Sequence, residues 1–494
     1  MRTLIRVPGT RDSHIPDPGT RDSQDCDPDT RGLWRELRSR LDGELLLPGE
    51  PGYRRARQVF LARYDGVRPA AVVRCRTPHD VVQALDAAAR AGLPAIPRAG
   101  GHSLAGFSVG PGVVVDVSPM NRIGFTGDGV VRVAAGTRAG RLNRFLTAAG
   151  RMLPVGTDTR VGVAGLTLGG GLGMAGRRFG FTSDHLVAAD IVLADGRWVT
   201  CDRDRHPDLF WALRGGGGSF GVVTSLSFAV RRAPALSAFR LRWPFPVAEA
   251  VITGWQQWIQ ELPEEFMTFL ALRDDGEPGS GPTLELYGSA LGTEPEAVTR
   301  AAARLASAVG TPPTVEALWA MSFRDSIAFW DGTRDRHGWR ATKSECFDTV
   351  VPAGALVREF RGDRRPGQNR SVELIQLGGA YNAVPAQASA FAHRGQSFTI
   401  KHSVEVDAQA AQGDKASAHQ WVNRSWESVR PYGSRAVYPN FADPDLVSWA
   451  EEYHGVNYAR LQQIKAAYDP AELFSFPQSI RLPEPGRAPS RDPR

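Results

Sequence analysis

The sequence predicts an α+β protein with two large domains, and three observations predict it. Short β-rich runs alternate with helical patterns up to about residue 235, the composition changes after Pro234, and three glycine clusters are confined to the part before that change. Strands alternating with helices, followed by strands grouped apart from helices, are what layered mixed architectures look like in sequence. With 494 residues, 42% hydrophobic and 23% charged, the chain has the composition of a soluble globular protein, not a disordered, collagenous or disulfide-stapled one.

Residues 1–33 repeat a ten-residue unit, Pro8-Gly-Thr-Arg-Asp-Ser13, Pro18-Gly-Thr-Arg-Asp-Ser23 and Pro28-Asp-Thr-Arg31, with almost no apolar content. Such a segment buries too little surface to offset its ordering entropy and is expected to be a disordered extension. Folded sequence is expected from about Trp34, and the first domain spans 34–235. Ala71-Val-Val-Arg-Cys75 reads as a strand, Pro78–Arg90 as a helix and Ala95-Ile-Pro-Arg98 as a strand, a length that implies a right-handed crossover. Val81, Val82, Leu85, Ala88 and Ala89 fall on one helical face, with Pro78 in the first turn and Gly92 beyond the end.

The second domain, 236–435, carries amphipathic helical patterns within Val247–Leu262 and Thr293–Val309. Strand-like runs intervene at Thr283–Tyr287, Ser371–Leu377 and Ser397–His402, so an antiparallel sheet with helices on one face is expected. A segment over 436–482 follows, with one helix from Tyr453 ending at Asp469-Pro470 and then an extended stretch, and 483–494 is a tail.

The net charge of +6 comes from 59 Lys and Arg against 53 Asp and Glu, interleaved with no basic block, which argues against nucleic-acid binding. Cys26, Cys75, Cys201 and Cys346 are widely spaced, so neither a metal site nor a disulfide framework is encoded. No apolar run suits a signal peptide or a membrane span, and a cytoplasmic protein is expected.

The three glycine clusters carry the chemistry: Arg98-Ala-Gly-Gly-His-Ser103, the run from Val161 to Gly173, and Arg214-Gly-Gly-Gly-Gly-Ser-Phe-Gly-Val222. Glycine turns let backbone N–H groups converge on an anion, so three in one domain point to a pyrophosphate. No Gly-Lys-Ser/Thr is present, and no cluster opens a strand–helix GxGxxG unit, so the nucleotide is not held by either of those two arrangements.

Together with Ala194-Asp-Gly196, Pro207–Arg214, Asn457–Leu461, Tyr468-Asp-Pro470 and Gln478-Ser-Ile480, these clusters make the chain resemble the berberine-bridge-enzyme-like family of FAD-linked oxidases from about residue 55 to 482. The resemblance implies a vanillyl-alcohol-oxidase (PCMH) type of FAD-binding domain with two subdomains, a substrate domain over the flavin, and a C-terminal segment that returns to the FAD domain. It implies FAD joined covalently to His102, a neutral imidazole in an open glycine turn being a competent nucleophile. Other cofactor contacts are expected at Arg98, Ala99, Gly100, Gly101, Ser103, Gly156, Thr157, Val161, Gly162, Gly165, Gly169, Gly170, Gly173, Val222 and Asn440. Many relatives add a cysteinyl link just before the second cluster. Here Gly156-Thr-Asp-Thr-Arg-Val-Gly162 puts Asp158 in that place, and a single link through His102 is expected. Val161 takes a position where a small side chain favours reaction with O2.

Hydride transfer to flavin also needs an acceptor for a substrate proton. The family's second tyrosine in Tyr-x-Asn-Tyr is Phe441 here, within Tyr438-Pro-Asn-Phe441, and Gly378-Gly379 is followed by Ala380-Tyr-Asn-Ala383 without a carboxylate. Tyr381 or Tyr438 is the expected acceptor, with Asn382 and Asn440 as hydrogen-bonding groups. His185, His393 and His402 are expected to be structural. The resulting expectation is an oxidase that moves a hydride from a natural-product or sugar-like small molecule to FAD and on to O2, giving H2O2. A dehydrogenase, an oxidative cyclase or a non-catalytic flavoprotein are the alternatives. Substrate identity and oligomeric state are not encoded legibly.

Overall fold

A computed structural model describes residues 28–484 apart from 128, 332–335 and 363. The repeat units before Pro28, Cys26 and the end of the chain after residue 484 lie outside the described residues. A helix already runs over Pro28–Arg40 and buries Leu33, Trp34 and Leu37. The extension expected over 1–33 is therefore too long at its C-terminal end. Leu33, Trp34 and Leu37 are spaced three and four apart, enough to lay one turn on the core.

The first subdomain is built on a four-stranded sheet in the order Glu44–Leu46, Ala71–Arg74, Val113–Asp116, Ala95–Arg98. The last three are parallel, and Ala71–Arg74 and Ala95–Arg98 both pair with Val113–Asp116 rather than with each other. Val113, Val114 and Val115 are fully buried, as a strand covered on both faces requires. The connecting helix spans Pro78–Arg90. Thr77 caps it by accepting the Asp80 N–H at 3.2 Å, while Asp80 accepts the Thr77 N–H at 3.1 Å.

The second subdomain is a five-stranded antiparallel sheet in the order Ile123–Gly127, Val130–Ala134, Val222–Ala229, Leu186–Val192, Trp198–Asp202. Short helices and glycine turns between residues 163 and 180 cover one end of it.

From Ala235 the chain builds a seven-stranded antiparallel sheet. Its order is Thr314–Ser322, Ala235–Trp243, Thr283–Leu291, Phe266–Asp274, Asn369–Gln376, Phe398–Val406, Trp339–Phe347. Strand residues alternate between faces. Leu241, Leu270, Leu286, Leu374 and Ile400 pack against the helices Ala248–Glu261, Ala353–Arg361 and Gln412–Glu427 in one apolar core. The alternate positions carry Arg240, Arg273, Glu285, Tyr287, Glu373, Lys401 and Arg340 on the opposite face, where the helix Phe323–Trp330 sets Phe329 against Arg240 at 5.8 Å and Trp330 against Tyr287 at 5.7 Å. A smaller cluster of Met174, Phe181, Met267, Tyr381, Phe391 and Tyr438 joins this domain to the glycine loops.

The C-terminal segment does not form one helix. Trp449–His454 and Tyr458–Tyr468 are separate, broken at Gly455 with φ 49°. The second helix ends on a buried ion pair. Lys465 donates to Asp469 at 2.5 Å, Ser219 O at 2.9 Å and Phe474 O at 3.0 Å, so the returning segment is pinned to the third glycine loop. Asp469→Ala would leave a buried ammonium unpaired and is expected to cost about 3–5 kcal/mol, measurable as a lower denaturant midpoint in urea titration.

Candidate active site

The three glycine clusters, expected on sequence grounds to share a ligand, line one cavity of about 550 Å³ between the two glycine-loop subdomains and the polar face of the seven-stranded sheet. The first and second clusters touch at Gly100 and Gly162. A Cβ on Gly100 would lie 2.4 Å from Gly162 N, so only glycine allows the approach. The second loop is hung from its neighbours by Ala139 N–H to Val161 O at 2.9 Å and Val163 N–H to Thr137 O at 2.9 Å.

Arg98, Ala99, Gly100, Gly101, His102, Ser103, Gly156, Thr157, Val161, Gly162, Gly165, Gly169, Gly173, Val222, Tyr438 and Asn440 all line the cavity. Three expected residues do not. Gly170 turns away against Phe391 and Tyr438. Asn382 is used up locally, its Nδ2 donating to Gln396 O at 2.9 Å. Tyr381 is fully buried, accepts the Gly173 N–H at 3.0 Å and donates to Gly173 O at 2.9 Å. A Cβ on Gly176 would sit 1.7 Å from its hydroxyl, so nothing else can reach that oxygen. Tyr381 thus tethers the seven-stranded-sheet domain to the second glycine loop and lies off the cavity, whereas the sequence reading expects it to be a proton acceptor.

Tyr438 is arranged differently. Its hydroxyl oxygen accepts the Gly171 N–H at 2.9 Å, the Leu172 N–H at 3.0 Å and Asn440 Nδ2 at 3.1 Å, and Asn440 Nδ2 also donates to Leu166 O at 2.9 Å. Burial pushes the phenol above its ordinary pKa, while these three donors work in the opposite direction by stabilising the anion. Phe441 lies beside it, ring centroids 4.9 Å apart, and beneath the Lys401 ammonium at 5.2 Å.

The remaining wall was missed by the sequence reading. Tyr287, Glu373 and Lys401 come from three strands of the large sheet and meet in the cavity. Tyr287 donates to Glu373 Oε1 at 3.1 Å, Arg273 to the same oxygen at 3.0 Å, and Lys401 pairs with Oε2. Burial alone would raise the Glu373 carboxyl, but Lys401 and Arg273 outweigh it and hold it well below the usual carboxylate range. Burial raises the Tyr287 phenol. Phe269 stacks on Tyr287 at 5.1 Å and 9°. The available signal was alternation: Leu284-Glu285-Leu286-Tyr287 and Val372-Glu373-Leu374 place polar groups opposite apolar ones, and Ile400-Lys401 begins the same pattern.

His102 stacks on Phe60 with centroids 3.5 Å apart, and Phe60 meets His337 edge-on at 4.7 Å. His337 Nδ1 bonds Glu405 at 2.6 Å. Arg98 donates to Ala56 O at 2.6 Å and to Asp116 at 3.0 Å, but its Nη1 is buried without a partner. Ser108 Oγ, His454 Nδ1 and Gln478 Oε1, on the same cavity, are also buried and unpartnered. Burial and the neighbouring His393 push the His454 imidazole down to about 3. Buried polar atoms are normally satisfied, so this concentration of donors and acceptors fits a polar ligand that completes them. The site thus fits a dinucleotide with a diphosphate at the glycine amides and Arg98. His185, His393 and His402 are occupied by Phe179 O, Glu452 O and Ser425 Oγ respectively, away from the cavity.

A cavity of this make-up, between a two-subdomain glycine-loop domain and the polar face of an antiparallel sheet, suits a dinucleotide cofactor facing a small-molecule site. The chain matches the FAD binding domain model over residues 69–202 and the berberine and berberine-like model over 437–481. It is 31% identical to the FAD-linked oxidoreductase YvdP of Bacillus subtilis, across 90% of this chain and 98% of that one. It is 29% identical to the xylooligosaccharide oxidase of Thermothelomyces thermophilus, across 84% and 88%. A solved structure of the glucooligosaccharide oxidase of Acremonium strictum has the same fold, with a TM-score of 0.83, 24% identity and coverage of 92% of this chain and 99% of that one. The chain belongs to the berberine-bridge-enzyme-like family of FAD-linked oxidoreductases.

Among the described residues no helix is long and apolar enough to cross a membrane, and no group of His, Cys, Asp and Glu is placed to hold a metal ion. Tyr381→Phe is expected to lower stability by about 1–3 kcal/mol, because the Gly173 groups lose their buried partner, while anaerobic flavin reduction stays close to wild type. A large loss of reduction rate without loss of stability would return Tyr381 to the catalytic machinery.

Proposed function

We propose that the chain is a covalent FAD oxidase acting on a hydroxyl-bearing small molecule, sugar-like or a natural-product intermediate, with O2 as electron acceptor. The observation that carries this reading is the cavity in which three glycine loops, His102 and unpartnered buried polar atoms converge opposite a polar sheet face. The xylo- and glucooligosaccharide oxidases among its relatives support a hydroxyl-rich substrate.

When bound, FAD supplies an isoalloxazine ring that accepts a hydride and passes the electron pair to dioxygen. The chain's own residues do the rest. The amides of the Gly100–Gly101 and Gly215–Gly218 turns and the Arg98 guanidinium bind the diphosphate. His102 anchors the ring by a single link, since Asp158 cannot form a thioether. Val161 keeps the wall beside the ring small enough for O2 to approach.

The polar sheet face receives the substrate. Glu373, held ionised, accepts from substrate hydroxyls, and Lys401 and Arg340 donate to them, while the stacked Phe269 and Tyr287 rings supply an apolar flank. Tyr438 accepts the proton of the hydroxyl being oxidised, its phenolate stabilised by the Gly171 and Leu172 amides and by Asn440. Phe441 keeps the neighbouring wall apolar, so no second phenol competes for that proton.

The link is checked by acid precipitation. Wild-type protein is expected to give a yellow pellet whose flavin resides on one tryptic peptide, the one containing His102, and His102→Ala should release the colour. A white wild-type pellet, or a second flavin-bearing peptide, overturns the single-link reading. For the proton acceptor, Tyr438→Phe is expected to slow anaerobic flavin reduction by about 10²-fold or more under stopped flow. A rate near wild type would exclude Tyr438.

A further inference from the structure

The loops that meet at Gly100 and Gly162 bring an acid to the attachment histidine. Asp158 Oδ2 lies 3.3 Å from His102 Nε2. That nitrogen is buried and makes no hydrogen bond of good geometry, so the contact is a close approach of charge to ring, not an aligned bond. Both partners are held in place. Asp158 Oδ1 accepts the Arg160 N–H at 2.8 Å, and the Val161 N–H reaches Asp158 O at 3.4 Å, which together fix the carboxylate on its turn. The imidazole is fixed from its face by Phe60, stacked at 3.5 Å and 24°, whose own N–H donates to Gly101 O at 2.9 Å.

A neutral imidazole carries its proton on one nitrogen and a lone pair on the other, and a neighbouring carboxylate draws the proton to its own side. With Asp158 against Nε2, the lone pair falls on Nδ1. We infer that Asp158 is a positioning residue for flavin attachment: it keeps the proton on Nε2, makes Nδ1 the nucleophile, and offsets the positive charge the ring gains as Nδ1 bonds to carbon. This rests on His102 being the attachment site, as proposed above.

The balance closes with the oxidant already in use. A bond forms between Nδ1 and the 8α-methyl carbon of FAD, one C–H bond of that methyl breaks, and the Nε2 proton leaves through Asp158. The electron pair passes to dioxygen, which takes up two protons and becomes hydrogen peroxide. A carboxylate at this distance stabilises the positive charge that develops on the ring as Nδ1 bonds to carbon, the same logic by which a buried aspartate supports a catalytic histidine. The residue that forgoes a second link thereby promotes the first.

The test uses the full chain produced under riboflavin limitation, then mixed with FAD in air, with aliquots acid-precipitated over time. Total bound flavin is read on desalted native samples and covalent flavin on the pellets. Asp158→Asn, nearly the same size, is expected to bind the same total flavin while the covalent share rises about 10²-fold more slowly. A merely structural role would lower both together. Asp158→Asn attaching at the wild-type rate overturns the inference. A second reading needs no variant: the flavin-bearing peptide of the wild type is expected to be linked through Nδ1, and a link through Nε2 overturns the inference. A wild-type pellet without flavin defeats the attachment reading itself and removes the inference with it, an outcome distinct from the other two because in those the pellet stays yellow.

Discussion

At Gly100 and Gly162 two loops from different sheets run backbone against backbone, with room for no side chain on either. A Cβ built on Gly162 would lie 2.5 Å from Gly100 N, and one on Gly100 2.7 Å from Gly162 Cα. This approach joins the parallel sheet, which ends in Arg98, to the antiparallel sheet, whose strand Val130–Ala134 leads into the turn supporting Val161. Without it the two subdomains would not share a cavity floor, and His102 would not face Asp158. A substitution at either glycine forces the loops apart by more than any side-chain adjustment can absorb.

The opposite wall depends on a division of labour within one sheet. The sheet buries one set of apolar positions against helices and directs Tyr287, Arg340, Glu373 and Lys401, from four of its strands, into the cavity. Tyr287, Glu373 and Lys401 there, with the neighbouring Arg273, satisfy one another, so the buried Glu373 carboxylate is paired on both oxygens. Such a wall is preorganised: its carboxylate stays ionised because two cations outweigh the cost of burial, and it need not reorganise when a hydroxyl-bearing molecule arrives. The returning C-terminal segment completes the enclosure, since the helix Tyr458–Tyr468 is pinned through Lys465 to the loop that carries Ser219.

Much of this is legible in the sequence alone. The capped helix Pro78–Arg90 and the strands on either side are local, set by a proline, a capping threonine and an apolar stripe. The glycine clusters announced close backbone approaches, and nearly all the positions they suggested line the cavity. The less legible parts are instructive. Gly455 interrupts what reads as one continuous helical pattern, because a single glycine at positive φ is enough to break it. Leu33 and Trp34 draw helix onto a segment whose polar repeats suggest none. Tyr381, directly before Asn382, and Tyr438, two residues before Asn440, look alike in sequence, yet one hydroxyl is sealed against Gly173 and Gly176 while the other tyrosine lines the cavity.

The sequence by itself determined which segments become helix or strand, where the backbone can approach a ligand, and that a histidine stands in one such turn with an aspartate where relatives of this kind can carry a cysteine. These are properties of neighbours along the chain, encoded in periodicity and in residues with special backbone freedom. Only the tertiary structure decided that Asp158 meets His102, that Glu373 meets Lys401 and Tyr287, and which tyrosine borders the cavity. Those juxtapositions depend on strand register and on the packing of loops distant in sequence, and alternation within a strand specifies a face without specifying what lies across from it.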